Sequence, residues 1–274
     1  MESFYIITNQ LKDRDYSVTI EVKDYIERKG KRVILAQKDE EGFIVPGTIP
    51  EDVDCGLVLG GDGTLIRAIR DLEGNKLPLL GINIGTLGYL ADVELKDYKS
   101  AIDRLCEEEP KVEKRMMLEG TMSSGEKDLA VNDIVLTRDG DPRVLKLKLY
   151  VDGQFLNEFS ADGMIVATPT GSTAYNLSAG GPIAQPDGQL MILTPICPHT
   201  LTSRTIVFGA DSRIRIEIPA TNRGSQVAAF DGDTLVRLEN GDYIEITKAE
   251  TVTRVVKLDH RSFLDILKMK MYDA

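Results

Sequence analysis

Along the first hundred residues the apolar positions come in two kinds of block. Phe4-Tyr5-Ile6-Ile7 is a short continuous run, as expected of a strand buried on both faces. Val18, Val22, Tyr25 and Ile26 then recur at helical spacing, and Gly30 stands where such a helix would stop. Residues 32–36 (RVILA) predict a second strand and 55–59 (CGLVL) a third. After GGDGT, Leu65, Ile66, Ile69 and Leu72 share one helical face, and 77–83 (LPLLGIN) predict a fourth strand. Strands alternating with helices in this way predict a parallel sheet of the α/β kind.

Beyond about residue 110 the period changes to two. Residues 145–151 (LKLKLYV) alternate, and Asp152-Gly153 supplies a hairpin turn. Ile214, Ile216 and Ile218 alternate with Arg213, Arg215 and Glu217. Residues 243–246 (YIEI) repeat the pattern after Asn240-Gly241, a second hairpin signal. This part predicts a largely β domain. At the end of the sequence, 261–272 carry Phe263, Leu264, Leu267 and Met271 at helical spacing, a helix able to cap either domain.

Composition narrows the function. The 274 residues are 42% hydrophobic and 28% charged, enough for one large core or two modest ones. A net charge of −11 argues against gripping nucleic acid or anionic lipid through bulk electrostatics. No apolar run reaches membrane-spanning length and the start lacks the layout of a signal peptide, so a soluble cytoplasmic protein is expected. Cys55, Cys106 and Cys197 are far apart with no CxxC pair, which indicates neither a disulfide framework nor a zinc knuckle. With only His199 and His260 present, histidine-based metal and acid–base chemistry has little to draw on.

Three segments carry candidate chemistry. Gly60-Gly61-Asp62-Gly63-Thr64 lies directly between a predicted strand and a predicted helix. Glycines there allow positive φ and close approach of a ligand, and the helix would aim free amides at an anion such as phosphate. Neither GxxxxGK[ST] nor GxGxxG is present, which excludes a P-loop nucleotidase and disfavours an ordinary Rossmann oxidoreductase. Asp62 would repel phosphate, so it belongs in such a turn only as a metal ligand or as acceptor for a hydroxyl about to attack phosphorus. The alternative is that Asp62 caps its own helix. A second glycine-rich stretch, GINIGTLGYL at 81–90, follows the fourth strand and would flank the same crevice. The third, TPTGSTAYNLSAGGP at 168–182, is dense in hydroxyls and small residues suited to sugar and phosphate, with Tyr175 as a flat face for a base. Its Gly171-Ser172-Thr173 lacks the GxSxG frame of a serine hydrolase.

Together with Asn132-Asp133 and CPHTLTSR at 197–204, these segments, in this order, resemble the NAD kinase family over about two-thirds of the chain. The resemblance implies an α/β N-terminal domain over 1–105, joined by the C-terminal segment 252–274, and a β-rich NAD-binding domain over 106–251, with the substrate cleft between them. It implies an ATP-dependent kinase, requiring Mg²⁺ or another divalent cation, that phosphorylates the 2′-hydroxyl of the adenosine ribose of NAD to give NADP. Asp62 would accept the proton of that hydroxyl, and Gly63 would let the backbone approach the dinucleotide. Asn132 and Asp133 would bind the adenosine part. Thr173, Ala174, Tyr175, Asn176, Leu177 and Ser178 would line its pocket. Asp162 would contact the far end of the dinucleotide beside a neighbouring subunit of a homo-oligomer, a dimer or tetramer. Arg143 and Asp233 occupy matching but variable positions. Which residues hold the metal is left open.

The sequence departs from the family pattern at three places. Asn-Asp stands for the usual Asn-Glu, Tyr89 for a common Phe, and Arg204-Thr205 for a common Arg-Pro. Two other readings are compatible with GGDGT: a lipid or sugar kinase of the wider group that shares it, or a non-catalytic NAD(P)-sensing module.

Overall fold

A fully buried strand, β1 (Ser3–Thr8), opens the structure, a computed structural model. It describes residues 1–45, 47–85, 88–91, 93–140, 144–200, 202–222, 224–258 and 262–271. Thr86, Leu87, Arg143, Leu201, His260, Arg261 and Tyr272, which fall in segments or sites read from the sequence, lie outside the described residues. The chain divides into two units: Met1–Lys114 with Thr253–Ala274, and Arg115–Val252.

In the first unit, β1 is followed by α1 (Ser17–Arg28), β2 (Arg32–Leu35), β3 (Cys55–Gly60), α2 (Asp62–Asp71), β4 (Leu79–Asn83), the short β5 (Val93–Glu94) and α3 (Tyr98–Glu107). The strands run parallel in the order β4-β3-β1-β2, with Phe4 opposite both Val33 and Cys55, and Leu57 opposite Leu80. Such a sheet must be covered on its faces, which is why β1, β3 and β4 read as unbroken apolar runs. Phe4, Ile6, Leu57, Leu59, Leu80 and Ile82 pack in one cluster with Val22 and Ile26 of α1 and Ala101, Ile102 and Leu105 of α3. The buried Asp13 starts α1 by accepting the amides of Val18 (3.1 Å) and Thr19 (2.9 Å). Gly30, at φ +75°, ends it.

The second unit takes in most of β6 (Lys111–Met122), then β7 (Lys127–Ala130), β8 (Asp133–Asp139), β9 (Leu145–Val151), β10 (Gln154–Ala161), β11 (Gly163–Ala167), the single-turn α4 (Tyr175–Ser178), β12 (Leu190–Ile196), β13 (Ile206–Gly209), β14 (Ile214–Glu217), β15 (Ser225–Phe230), β16 (Thr234–Leu238) and the first part of β17 (Tyr243–Lys257). One antiparallel sheet has the order β13-β12-β11-β8-β15-β16, and β10-β9-β14-β17 run antiparallel in another. Strand alternation gives the first sheet two buried faces. Met164 and Val166 point into a core shared with Leu147, Ile216 and Ile244 of the other sheet. Ile165 and Ala167 point the opposite way, packing with Ala179 and Ala184 of the glycine- and hydroxyl-rich segment. That segment therefore rests on the outer face of the six-stranded sheet.

The Asp152-Gly153 turn joins β9 to β10 as predicted, both residues having positive φ. The second hairpin expectation is corrected. Asn240-Gly241 turns the chain, but β16 pairs with β15 while β17 pairs with β14. A turn dipeptide reports local φ, not whether its flanking strands pair.

The predicted terminal helix forms as α5 (Phe263–Met271) in the first unit. Its buried side is centred on Ile266, while Leu264 is 70% exposed and Met271 is exposed, so the face read from the sequence is rotated. Its apolar residues fall all round the helix, and spacing alone does not choose among them. Among the described residues no helix is long and apolar enough to cross a membrane.

Candidate active site

Parallel strands end together, and here the carboxyl ends of β1, β3 and β4 bring three loops side by side. Asn9 donates its amide to Leu59 O (2.9 Å), and Ile84 donates to Gly60 O (2.8 Å). Thr64 Oγ1 accepts from Asn9 Nδ2 (2.8 Å), tying the first loop to GGDGT. Ligands of open α/β sheets bind at such strand ends.

Asp62 is the first residue of α2, where a carboxylate suits the positive end of the helix dipole. Its oxygens do not turn back to cap that helix. Oδ2 accepts the amide of Tyr89 (2.6 Å), and Oδ1 accepts those of Leu90 (3.1 Å) and Ala91 (2.9 Å). GGDGT and the second glycine-rich stretch are thus joined through this one side chain. A carboxylate offers about four lone-pair positions, so one remains for a further donor. Burial, then the negative charge of Asp62, raises the Tyr89 phenol above its usual range. Lys270 of α5 stands 5.0 Å from the centre of the Tyr89 ring.

The glycines have separate reasons, and the expected positive φ is not among them for GGDGT: Gly60, Gly61 and Gly63 all avoid it. A side chain on Gly60 would strike Thr64 at 2.4 Å. One on Gly88 would come within 1.8 Å of Asp62 Oδ1, so only glycine allows the carboxylate to reach the amides beyond it. Gly63 has open space around it and ordinary helical φ. Nothing within the fold requires glycine there.

In the second unit the start of β8, the end of β11 and the end of β15 lie together, with Asp133 opposite Ala167 and Ile134 opposite Phe230. Asp231, just past β15, accepts three successive amides: Val131 (2.8 Å), Asn132 (2.7 Å) and Asp133 (3.2 Å). The sequence reading passed over Asp231 for its neighbour Asp233. The signal was the first acid of FDGD, at a turn position where aspartate can adopt the left-handed φ of +52°. Asp133 is 4% exposed, and burial, followed by the charge of Asp231, pushes its carboxyl up to about 7.

The segment after β11 leans on that turn. Thr168 donates its amide to Asn132 O (2.8 Å) and its hydroxyl to Val131 O (2.7 Å). A side chain on Gly171 would meet Asn132 O at 2.1 Å. Several polar groups of the segment are consumed internally. Ser172 Oγ donates to Pro169 O (2.6 Å) and accepts the Ala184 amide (3.0 Å). The buried Asn176 donates to Ser172 O and Pro182 O, both at 3.0 Å, and accepts from Thr194 Oγ1 at 2.7 Å. Tyr175, by contrast, is 47% exposed, Ser178 is exposed, and Thr173, Ala174 and Leu177 are half-buried.

The structure therefore gathers Asn132, Asp133 and Thr173 to Ser178 around one end of the six-stranded sheet. Asp162 lies before the other end of β11, about 17 Å from Ala167 at strand rise, where its carboxylate pairs with Arg138 at 2.9 Å. Asp233 is exposed in the β15–β16 turn, its amide donating to Phe230 O (3.0 Å). Arg143 lies outside the described residues. Asp62 and Gly63 belong to the first unit.

Known proteins match the chain from end to end. Residues 4–110 match the ATP-NAD kinase N-terminal domain and residues 131–258 the ATP-NAD kinase C-terminal domain. An NAD kinase of Agathobacter rectalis is 45% identical over 281 residues, covering 99% of each chain. The crystal structure of yeast NADH kinase complexed with NADH superposes with a TM-score of 0.84 at 27% identity, covering 99% of this chain and 87% of that one. That of an NAD kinase from Archaeoglobus fulgidus in complex with ATP gives 0.80 at 26% identity, covering 98% and 99%. With two domain matches in the order of the two units and identity sustained over nearly the whole length, the chain belongs to the NAD kinase family.

Proposed function

We propose that this chain transfers the γ-phosphoryl group of ATP to the 2′-hydroxyl of the adenosine ribose of NAD, forming NADP and ADP. The observation that carries this reading is Asp62, fixed by three amides at the strand ends with one lone-pair position spare, beside a Gly63 that the fold does not need.

In the reaction, Asp62 accepts a hydrogen bond from the 2′-hydroxyl and takes its proton as the ribose oxygen attacks the γ-phosphorus. The bond between that phosphorus and the β,γ-bridging oxygen breaks, and ADP leaves with the electron pair. The loose transition state of such transfers asks for an aimed nucleophile more than a strong base. A carboxylate locked in place by its own hydrogen bonds supplies that aim.

Asn132 and Asp133 take the adenosine part, Tyr175 stacks on the base, and Thr173, Ala174, Leu177 and Ser178 complete the pocket. Asn176 serves it as an internal brace. Asp162 takes the distal end of the dinucleotide, and Arg143 and Asp233 are flanking contacts. Among the described residues no group of three or more His, Cys, Asp or Glu could hold a metal ion, so the residues present do not fit a protein-built metal centre. The Mg²⁺ of the reaction would come with the nucleotide phosphates, as that ion commonly does. The enzyme is proposed to be cytoplasmic and homo-oligomeric, a dimer or tetramer. Neither the lipid- or sugar-kinase reading nor the sensing module gains an observation in its favour.

Incubation with ATP, Mg²⁺ and NAD, followed by an NADP-specific dehydrogenase, tests the reading. NADP should appear in step with ADP. Saturable NAD binding with no NADP formed would overturn it.

A further inference from the structure

A carboxylate within a phosphate-binding turn needs a cation nearby, because the transferred group spreads negative charge over three oxygens as it passes. The turn itself, Gly60 to Thr64, contains none. One reaches it from the neighbouring loop. A side-chain carbon placed on Gly61 would lie 3.1 Å from Lys12 Nζ, and one placed on Gly85 would lie 3.5 Å from it. The ammonium thus lies close to both glycine-rich loops, in front of Gly61, the residue that precedes Asp62.

Three features mark this lysine. Its loop is braced on both sides: Asn9 is held to Leu59 and Thr64, and Asp13 is held to the start of α1. The Lys12 amide itself donates to Asn9 O at 3.1 Å. Among the described residues its ammonium makes no ion pair or hydrogen bond, in a chain with 44 acids to 33 bases. Finally, Gly61 avoids positive φ, and what a side chain there would meet first is Lys12. Absence of a side chain at that point keeps the space before the ammonium open.

We propose that Lys12 is a substrate-binding residue of the phosphoryl-transfer site, its ammonium holding phosphate oxygens of the donor nucleotide. The inference rests on the kinase reading above. Lysine suits the task as a compact point charge that can follow an oxygen as the group moves. It also supplies the charge that balances Asp62.

The test compares the full-length protein with Lys12→Met and Lys12→Arg, by steady-state kinetics and by calorimetric titration with ATP. Lys12→Met should weaken ATP binding, and lower kcat/KM for ATP, by about 10- to 100-fold, the loss expected for one hydrogen bond to a charged group. KM for NAD should stay within about twofold and the melting temperature should hold, because the ammonium bonds to no described residue. Lys12→Arg should recover part of the loss. Unchanged ATP binding in Lys12→Met would overturn the inference. A loss confined to NAD would also overturn it, by moving the cation to the pyrophosphate of the dinucleotide. The titration does not depend on turnover, so a wild-type protein that binds ATP but makes no NADP would reject the kinase reading separately.

Discussion

Asp62 braces residues 89–91 and is the proposed proton acceptor, and substitution should separate the two duties. Asp62→Asn keeps one oxygen and replaces the other with an amino group. With the oxygen facing Leu90 and Ala91, that amino group meets the Tyr89 amide, and two donors oppose each other where a 2.6 Å bond now stands. Losing a hydrogen bond to a charged group costs about 1.5–3 kcal/mol. At about 2–4 °C per kcal/mol for a domain of this size, the melting temperature should fall by several degrees. Turnover should fall by about 10²- to 10⁴-fold, the usual effect of removing a general base, with NAD affinity within a few-fold. Gly88→Ala gives the complementary change. The acid remains, but a methyl placed 1.8 Å from Oδ1 forces it aside. A displacement of about 1 Å can cost about 10²-fold in rate, so this variant should also be slow while retaining an intact carboxylate. Scanning calorimetry and kcat on both variants decide the matter. Near-normal turnover in Asp62→Asn would refute its role as proton acceptor. Unchanged melting in both variants would refute the bracing of residues 89–91.

Gly63→Ala should raise thermal stability slightly, by up to about 1 kcal/mol in this open helical position, yet reduce kcat/KM for NAD; unimpaired kinetics would remove the argument that substrate backs onto it. Tyr175→Ala should weaken NAD binding by about 1–3 kcal/mol, the range for losing a stacked base, and leave ATP binding alone; equal weakening of both would make the ring structural. Asn176→Ala should destabilise by about 2–4 kcal/mol, because Ser172 O, Pro182 O and the Thr194 hydroxyl all lose a buried partner; a melting curve like the wild type's would show that the brace is dispensable. Asp133, held protonated to about pH 7 when folded but ionised above about pH 4 when unfolded, binds more protons in the native state between those values. Stability should therefore fall as pH rises from about 4 to about 7, and Asp133→Asn should flatten that slope in denaturant titrations; an unchanged slope would refute the shift.

The first unit was legible because β1, β3 and β4 are buried on both faces and its helices on one. Those patterns differ in length and period, and Gly30 punctuates α1. The second unit was legible only where one strand face is more polar, as at 145–151. β11, β12 and β15 are buried on both faces, so period two disappears from them. Asn240-Gly241 misled because the chain crosses there to another sheet. Within the proposed site, Asp62 and Tyr175 could be picked out as candidates by their chemistry. Asp231 and Lys12 could not. Asp231 acts on amides about a hundred residues earlier in the chain, and Lys12 becomes relevant only once parallel strand ends place its loop beside Gly61 and Gly85.

Asp62 and Asp231 make the same kind of bond set, each collecting three successive backbone amides of a distant loop, one in each unit. Such a set is costly to leave unmade, since free amides near the interior lose their water without replacement. It fixes a loop more firmly than side-chain packing, because the loop's own backbone is the partner. The two residues part company in their surroundings. Asp231 faces Asp133, a buried acid whose proton its charge helps to retain, so its work is to shape the turn carrying Asn132. Asp62 stands between Gly63, beside which a side chain would meet nothing, and Gly61, in front of which lies Lys12, so the fold has placed no side chain of its own on either neighbour. Emptiness kept open on the side of a fixed charge is what a substrate hydroxyl requires, and it is that asymmetry, rather than the acidity of either group, that makes one aspartate a bracket and the other the reacting group of the proposed transfer.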